Sequence, residues 1–300
     1  MTREINHFID GQAFKGKSGK FGDIFNPNTG EVQARVQFAT RDEVADAVAG
    51  AKKGQAIWAA MNPQRRARVL MKYKMMVEDR MDELAHLLSS EHGKVIADSK
   101  GDLIRGLEVI EFACGVPHLM KGEYTESAGP GIDVYSMRQP LGVVAGITPF
   151  NFPAMIPMWF MGMALSTGNA MILKPSEKDP SVPLRLAEIM LEAGLPEGVL
   201  QVVHGDKTAV DALIEHDDIK AVSFVGSSNI AHYIAQGCTK HAKRFQAMGG
   251  AKNHGIIKPD AYMDEFVSDF LGASYCSAGD HCLALPVGVP LGTCTACASV

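Results

Sequence analysis

The chain has 300 residues and a formal net charge of −5, and 46% of its residues are hydrophobic against 21% charged, ordinary values for a soluble globular protein. It contains no basic run, so binding to nucleic acid or to an anionic membrane surface is not expected. The polar first residues, MTREINHFIDGQ, fit neither a signal peptide nor a transit sequence, and the longest apolar stretch, residues 152–165, is too short for a membrane span. We therefore expect a cytoplasmic protein whose six cysteines are free thiols.

Three helices are predicted in the N-terminal part of the chain. Apolar residues recur at helical spacing over 39–61, where Thr40 and Glu43 have the spacing of a capping box. A second helix is expected from Asn62 to Gly93, because a proline follows the asparagine and suits the first helical position. A third helix is expected over 96–120. Together these segments predict an N-terminal helical layer.

The pattern then changes to alternating strands and helices. Strands are predicted at a short start, 7–14, at an exposed arm, 132–137, and at short apolar runs, 141–147, 170–174, 198–203 and 220–226. Helical segments are predicted at 153–166, 181–193, 207–215 and 227–238. This alternation predicts an α/β fold in which a doubly wound, parallel, Rossmann-like sheet follows the N-terminal helical layer.

Ligands of open α/β sheets bind at the carboxyl ends of the strands. That rule selects four loops, each following a predicted strand: TPFNFP (148–153), KPSEKDP (174–180), HGDK (204–207) and GSSN (226–229).

Two of these loops contain groups that could bind a cofactor. Gly226 and Ser227 precede a helix, whose first N–H groups attract an anion, although a capped strand–helix turn is the favoured interpretation of this motif taken alone. Lys174 and Glu177 could bind ribose hydroxyls or phosphate, and the alternative is a solvated charged loop. No G-x-G-x-x-G fingerprint is present.

The candidates for chemistry are Asn151 and Cys282. Prolines stiffen the turn that contains Asn151, so its side-chain amide could stabilise an oxyanion, unless it only forms an Asx-turn. Cys282, in SAGDHCLAL, is either a nucleophile or a small apolar residue of the core. A dyad with His281 is disfavoured because adjacent side chains seldom face each other. The CTAC sequence at 294–297 has too few partners for zinc, and we predict no metal site.

Taken in chain order, six motifs resemble the aldehyde dehydrogenase superfamily, from about Asn6 to Pro290. They are PFNFP, LKPSEKDP, GLPEGVLQVVHG, VSFVGSSNIA, MGGAKNHGI and SAGDHCLA. MGGAKNH and the cysteine segment are most similar to the CoA-acylating methylmalonate/malonate-semialdehyde dehydrogenase branch. The resemblance implies that Cys282 attacks the aldehyde, that Asn151 and the Cys282 backbone N–H hold the oxyanion, and that a hydride passes to NAD.

The resemblance also implies a set of cofactor contacts. Thr148, Phe150 and Gly249 would lie near the nicotinamide, Lys174, Glu177 and Lys178 along the adenosine ribose, and Gly226 and Ser227 by the pyrophosphate. A carboxylate at Glu177 would repel a 2′-phosphate, which favours NAD over NADP.

Hydrolytic members of the family carry a glutamate before the paired glycines, where it activates water. This chain has Ala247 and Met248 there, which indicates that CoA rather than water accepts the acyl group. The alternatives are a catalytically inactive NAD-binding fragment and a hydrolytic aldehyde dehydrogenase.

By the same resemblance, residues 1–250 form the NAD-binding domain, with its N-terminal helices and an oligomerisation-type arm near 123–140. Residues 251–300 would be only the start of the catalytic domain, because the chain is truncated at its C-terminal end, and would finish in an aberrant tail at 291–300. The arm is then expected as an exposed sheet edge. The expected partners are a small-molecule semialdehyde and CoA, and the family forms homo-oligomers.

Overall fold

The computed structural model describes residues 2–292, and the CTAC sequence at 294–297 and residues 293–300 of the predicted tail lie outside that range. The chain divides into two compact units, one ending at Met248 and the other beginning at Gly249.

The first unit contains most of the helices and strands. Its elements in chain order are β1 (Arg3–Ile5), β2 (His7–Ile9), β3 (Gln12–Phe14), β4 (Phe21–Phe25), β5 (Val32–Gln37), α1 (Arg41–Ala60), α2 (Pro63–Glu78), α3 (Met81–His92), α4 (Ile96–Cys114), α5 (Val116–Leu119), β6 (Tyr124–Gly129), β7 (Ile132–Tyr135), β8 (Val143–Ile147), α6 (Met155–Ser166), β9 (Ala170–Lys174), α7 (Ser181–Glu192), β10 (Leu200–Val202), α8 (Lys207–Glu215), β11 (Ile219–Val225), α9 (Ser228–Lys240) and β12 (Arg244–Met248).

The main sheet has seven strands in the order β12-β11-β8-β9-β10-β2-β3. Neighbouring strands from β12 to β10 are parallel, whereas β2 and β3 run antiparallel at the other end. The predicted α/β fold with a doubly wound, largely parallel sheet is confirmed, and the N-terminal hairpin makes that sheet mixed. Asp10 and Gly11 connect β2 to β3 with positive φ angles of 51° and 76°, the backbone of a tight hairpin turn.

The N-terminal helical layer is also confirmed, with changes at helix ends. The Thr40 side chain accepts from the Glu43 N–H and Glu43 accepts from the Thr40 N–H at 2.7 Å, so the capping box is present. The second predicted helix is two helices, α2 and α3, separated at Asp79 and Arg80, where the Arg80 side chain donates to the Met76 carbonyl of α2.

The third predicted helix ends earlier than expected. It stops at Cys114, and Gly115 connects it to the four-residue α5. Pro117 lies in that short helix and has no backbone N–H, so it cannot continue the α4 hydrogen-bond ladder.

The helices bury both sides of the main sheet. Helices α6 and α7 pack on its strands, and α2, α3 and α4 pack in turn on α6 and α7. Helices α1, α8 and α9 also pack along the sheet strands. The fully buried Trp58 donates from Nε1 to the Leu165 carbonyl at 2.7 Å, which ties α1 to α6.

Two smaller sheets complete the first unit. A three-stranded sheet, β1-β5-β4, which the sequence did not predict, has its own small core of Ile5, Ile24, Ala34 and Val36. The predicted arm strand is present as β7 and pairs antiparallel with β6, and the apolar side chains of this hairpin are exposed.

The described part of the second unit, residues 249–292, contains a parallel pair of short strands, β13 (His254–Ile257) and β14 (Val287–Pro290), and one α-helix, α10 (Met263–Tyr275). A single 3₁₀ turn, Cys276–Gly279, follows α10 and precedes Cys282. Among the helices of residues 2–292, none combines the length and the apolar character that a membrane crossing needs. Cys114, Cys238, Cys276 and Cys282 are free thiols, as predicted for this part of the chain.

A glycine pair tests the packing of α1 against the sheet. A Cβ at Gly54 would lie 2.7 Å from the Val199 backbone nitrogen and 2.8 Å from the Glu197 carbonyl oxygen, whereas a Cβ at Gly101 in α4 meets no atom within 4 Å. We expect Gly54→Ala to lower the free energy of unfolding by about 1–3 kcal/mol through overpacking. Gly101→Ala, the matched control, should raise it by about 0.5–1 kcal/mol through helix propensity. Urea unfolding measures both free energies, and equal changes in the two variants would contradict the close packing at Gly54.

Candidate active site

The four predicted ligand loops follow strands that are parallel neighbours in the order β11-β8-β9-β10, so all four leave the same edge of the sheet. Two of them are in direct contact. The Thr148 N–H donates to the Lys174 carbonyl at 3.1 Å, and the Lys178 ammonium lies 4.7 Å from the centre of the Phe150 ring. The structure therefore places Thr148 and Phe150 beside Lys174 and Lys178. The role of these residues in cofactor binding stays a prediction.

Lys174 and Glu177 form an ion pair at the end of β9, with 3.4 Å between Nζ and Oε2. The Lys174 side chain is 7% exposed and that of Glu177 is 42% exposed. Burial lowers the pKa of Lys174, and the carboxylates of Glu177 and Asp206 oppose that change. A solvated charged loop would not bury its lysine, so this pair is better described as a partly buried polar site with an accessible carboxylate.

Thr148 begins the loop after β8 and is 4% exposed. Its hydroxyl oxygen is buried and has no hydrogen-bond partner among the described residues. A buried hydroxyl without a partner is costly, and a bound polar ligand would satisfy it. The residues at this edge of the sheet therefore fit a cofactor with hydroxyl and charged groups.

The GSSN loop differs from a simple capped turn. Ser227 occupies the N-cap position of α9 but its hydroxyl makes no capping hydrogen bond, and its side chain is exposed. The hydroxyl thus stays available beside the positive end of the helix. Gly226 has a packing reason to be glycine, because a Cβ there would lie 2.5 Å from the Phe224 ring.

The HGDK loop has a structural part and a capping part. His204 is buried and stacks on His7 with 5.7 Å between ring centres, and burial lowers the pKa of His204 well below its ordinary value. Asp206 caps α8 by accepting from the Thr208 N–H at 2.8 Å. This loop thus holds β2 in place through the His204–His7 contact, and it begins helix α8 through the Asp206 cap.

Asn151 lies in a segment that is held from the helical layer. Lys94, whose side chain is completely buried, donates from Nζ to the Asn151 carbonyl at 2.7 Å and lies 3.3 Å from Asp102 Oδ2. Asp102 Oδ1 in turn accepts from the Met155 N–H at 2.6 Å. Burial raises the pKa of Asp102 to about 6, and the Lys94 charge works in the opposite direction.

Sequence reasoning did not find Lys94 and Asp102. One feature of the sequence could have indicated this pair: Asp102 is a carboxylate on the face of α4 that also carries Leu103, Gly106 and Ile110, all of which are buried. A carboxylate on the buried face of a helix needs a partner, and a lysine directly after a helix-ending glycine was the nearest candidate.

A pair of buried carboxyl groups anchors the end of the KPSEKDP loop. Glu91 accepts from the Arg3 guanidinium at 2.9 Å and from the Ser181 N–H at 3.0 Å. Asp179 is 1% exposed, and burial together with the neighbouring Glu91 carboxylate raises its pKa well above the ordinary value. Neither Asp179 oxygen has a hydrogen-bond partner among the described residues, and in its protonated form Asp179 places no second negative charge beside Glu91.

In the second unit, Cys282 is partly buried and follows the 3₁₀ turn. The Asn253 side chain donates from Nδ2 to the carbonyls of Cys282 and Ala284, both at 2.8 Å, and so fixes this segment. His281 Nδ1 lies 2.9 Å from Cys276 Sγ. The predicted cofactor residue Gly249 is the first residue of this unit and is exposed.

The buried carboxyl pair gives a pH-dependent prediction. Because the pKa of Asp179 is raised in the folded chain, its proton stabilises the fold at low pH and that contribution is lost as the pH rises towards the folded-state pKa, at about 1.4 kcal/mol per pH unit. Asp179→Asn is uncharged at every pH, so its stability does not depend on a proton at this position. We expect its free energy of unfolding, relative to the wild type, to rise between pH 5 and pH 8. Asp46 is exposed, and the control Asp46→Asn should stay within about 0.5 kcal/mol of the wild type at both pH values. A parallel pH profile for Asp179→Asn and wild type would argue against a raised pKa of Asp179.

Comparison with known proteins places this geometry in a family. The model of the Aldehyde dehydrogenase family matches residues 14–288. A malonate-semialdehyde dehydrogenase of Pseudomonas aeruginosa is 48% identical over 288 residues, 96% of this chain and 58% of the relative. A human mitochondrial methylmalonate-semialdehyde/malonate-semialdehyde dehydrogenase of the acylating type is 44% identical over 96% of this chain and 54% of its own length.

A solved structure is similar to this chain in both sequence and fold. A protein of Sinorhizobium meliloti 1021, assigned as a methylmalonate-semialdehyde dehydrogenase and solved with NAD, is 59% identical, has a TM-score of 0.97, and is matched over 99% of this chain and 61% of that one. The chain thus spans about 60% of the length of such relatives. It belongs to the aldehyde dehydrogenase family, in the malonate/methylmalonate-semialdehyde dehydrogenase branch.

Proposed function

We propose that this chain carries the NAD site and the nucleophile of a CoA-acylating semialdehyde dehydrogenase acting on malonate or methylmalonate semialdehyde. The observation that carries the proposal is the Lys174–Glu177 pair at the end of β9, beside the unsatisfied hydroxyl of Thr148. It offers a buried cation, an accessible carboxylate and a hydroxyl at the sheet edge where α/β folds bind nucleotides. In this proposal the first unit is the NAD-binding domain and the residues after it begin the catalytic domain.

NAD would be held mainly by polar groups of the sheet-edge loops. The Glu177 carboxylate accepts from ribose hydroxyls, with Lys174 and Lys178 along the same ribose. Ser227 and Gly226 would contact the pyrophosphate, because the start of α9 favours negative charge. Thr148, Phe150 and Gly249 serve the nicotinamide end. When bound, NAD supplies the hydride acceptor.

Cys282 performs the covalent chemistry. Its thiolate attacks the aldehyde carbon, and the carbonyl oxygen becomes an alkoxide that the Asn151 amide and the Cys282 backbone N–H stabilise. After the hydride leaves that carbon, the acyl group remains as a thioester on Cys282. The thiolate of CoA then attacks the thioester carbonyl, and acyl-CoA leaves as the Cys282 thiolate is restored.

The residues of β12 support acyl transfer to CoA over hydrolysis. Ala247 pairs with Phe224 of β11 at the end of the strand, and the segment Ala247–Met248 offers no carboxylate to deprotonate a water. Hydrolysis of the thioester lacks its general base there, so the stronger nucleophile, a thiolate, has the advantage.

One observation favours a second candidate. The chain spans about 60% of the length of its relatives, so an inactive fragment that binds NAD through the first unit is the alternative function. From the family resemblance we also propose that the exposed β6–β7 hairpin is an oligomerisation arm.

The proposed reaction predicts a CoA-dependent formation of NADH. Purified chain is mixed with malonate semialdehyde, NAD and CoA, and absorbance of NADH is followed with and without CoA. Cys282→Ser should reduce the rate by at least about 10³-fold because the nucleophile is lost. Cys114→Ser, a control at the end of α4, should stay near the wild type.

Two other outcomes would favour a different function for this chain. NAD binding without any NADH formation by the wild type would establish the inactive fragment. NADH formed equally fast without CoA would establish hydrolysis and remove the acyl-transfer step.

The Glu177 carboxylate predicts coenzyme preference. Glu177→Gln removes the charge that repels a 2′-phosphate and one strong ribose acceptor, so the ratio of NADP to NAD affinity should rise by about 10-fold or more. Titration calorimetry with each coenzyme measures the ratio. Glu126→Gln, on the exposed arm strand β6, is the matched control and should leave the ratio unchanged; an unchanged ratio in Glu177→Gln would place the ribose elsewhere.

A further inference from the structure

Lys94 has an unusual position for a lysine. It follows Gly93, which ends α3 with a φ of 88°, and its side chain is completely buried between the helical layer and the loop after β8. Its ammonium contacts three groups: the Asn151 carbonyl at 2.7 Å, Asp102 Oδ2 at 3.3 Å and the Phe152 ring, whose centre lies 4.2 Å away. A buried ammonium is retained only where such partners offset its loss of hydration.

Asp102 completes the arrangement from the other side. One of its oxygens pairs with Lys94, and the other accepts from the Met155 N–H at 2.6 Å. The segment from Asn151 to Met155 is therefore fastened at its first residue by Lys94 and at its last by Asp102. Phe150, just before the segment, stacks on His92 with 6.1 Å between ring centres.

We propose that Lys94 and Asp102 are positioning residues that fix the backbone of Asn151, and through it the side-chain amide that stabilises the oxyanion. The inference rests on the proposed function for the role of Asn151. Lys94 and Asp102 act through the loop because both side chains are buried and engaged with it and with each other.

The consequence for catalysis follows from geometry. An oxyanion donor works only when it lies about 2.7–3.1 Å from the developing charge. A displacement of about 1 Å can cost about 10²-fold in rate. Loss of the Lys94 contact should therefore lower kcat, while NAD affinity, which depends on the Lys174–Glu177 loop, should change little.

The first measurement reports the loop itself, independent of activity. Hydrogen exchange followed by mass spectrometry is applied to the full chain and to Lys94→Met, which keeps the chain length but removes the charge and its donors. We expect amides over residues 152–158 to exchange at least about 10-fold faster, with β9 and β10 unchanged. Lys53→Met, at an exposed position of α1, is the matched control and should match the wild type.

Two exchange results would overturn the inference. Unchanged exchange over 152–158 would show that Lys94 does not hold the segment. Equal acceleration throughout the first unit would show that Lys94 only supports the fold. If Lys94→Met does not fold, Asp102→Asn is used instead, since it keeps an acceptor for the Met155 N–H but loses the negative charge that holds Lys94.

The second measurement separates kcat from KM. In an active wild type, Lys94→Met should lower kcat by about 30-fold or more with KM for NAD within about threefold, and Lys94→Arg, which keeps a cationic donor, should recover part of kcat. Two results would overturn the positioning role. One is faster exchange over residues 152–158 in Lys94→Met with an unchanged kcat, and the other is a rise in KM for NAD that matches the fall in kcat. An inactive wild type would instead refute the proposed function, and the exchange result would still decide whether Lys94 fixes Asn151.

Discussion

The parallel pairing of β8 with β9 on one side and β11 on the other is the constraint on which the rest of the structure depends. Ile147 at the end of β8 lies opposite both Lys174 and Phe224, so three strands end at nearly the same level. Their loops then share one edge, and residues far apart in sequence become neighbours there. A slip of one residue in this register would exchange the side chains that face the helices on the two sides of the sheet, so the packing of both buried faces fixes where the loops begin.

Much of this arrangement could be predicted from sequence because it depends on local patterns. Short apolar runs between helical segments revealed the parallel strands, and the Thr40–Glu43 spacing revealed the start of α1. The three-stranded sheet was missed because β4 exposes Phe21 and Phe25 and buries Ile24, so its apolar residues do not alternate with polar ones. Its core also needs only four apolar side chains. Asp10-Gly11 has the residue types typical of a hairpin turn and forms the turn between β2 and β3.

The support of the candidate site was the least predictable part. Lys94 and Asp102 have no motif that relates them to Asn151, since only the packing of α4 against α6 brings them together. Asp179 has the same character: its sequence neighbours are polar, and its burial against Glu91 depends on how α3 meets the start of α7. The candidate ligand residues follow strand ends, which a sequence reveals, whereas the side chains that contact their loops from the helical layer are placed by tertiary packing, which a single sequence does not display.

The exposed hairpin of β6 and β7 has a consequence for the chain in solution. Tyr124, Ile132, Val134 and Tyr135 are each more than half exposed, on two strands whose outer edges have no neighbour within the described residues. Open strand edges beside apolar side chains add further strands readily. The behaviour of the purified chain will therefore depend on its concentration. In dilute samples the hairpin stays solvated, whereas in concentrated samples another strand pairs with its open edges.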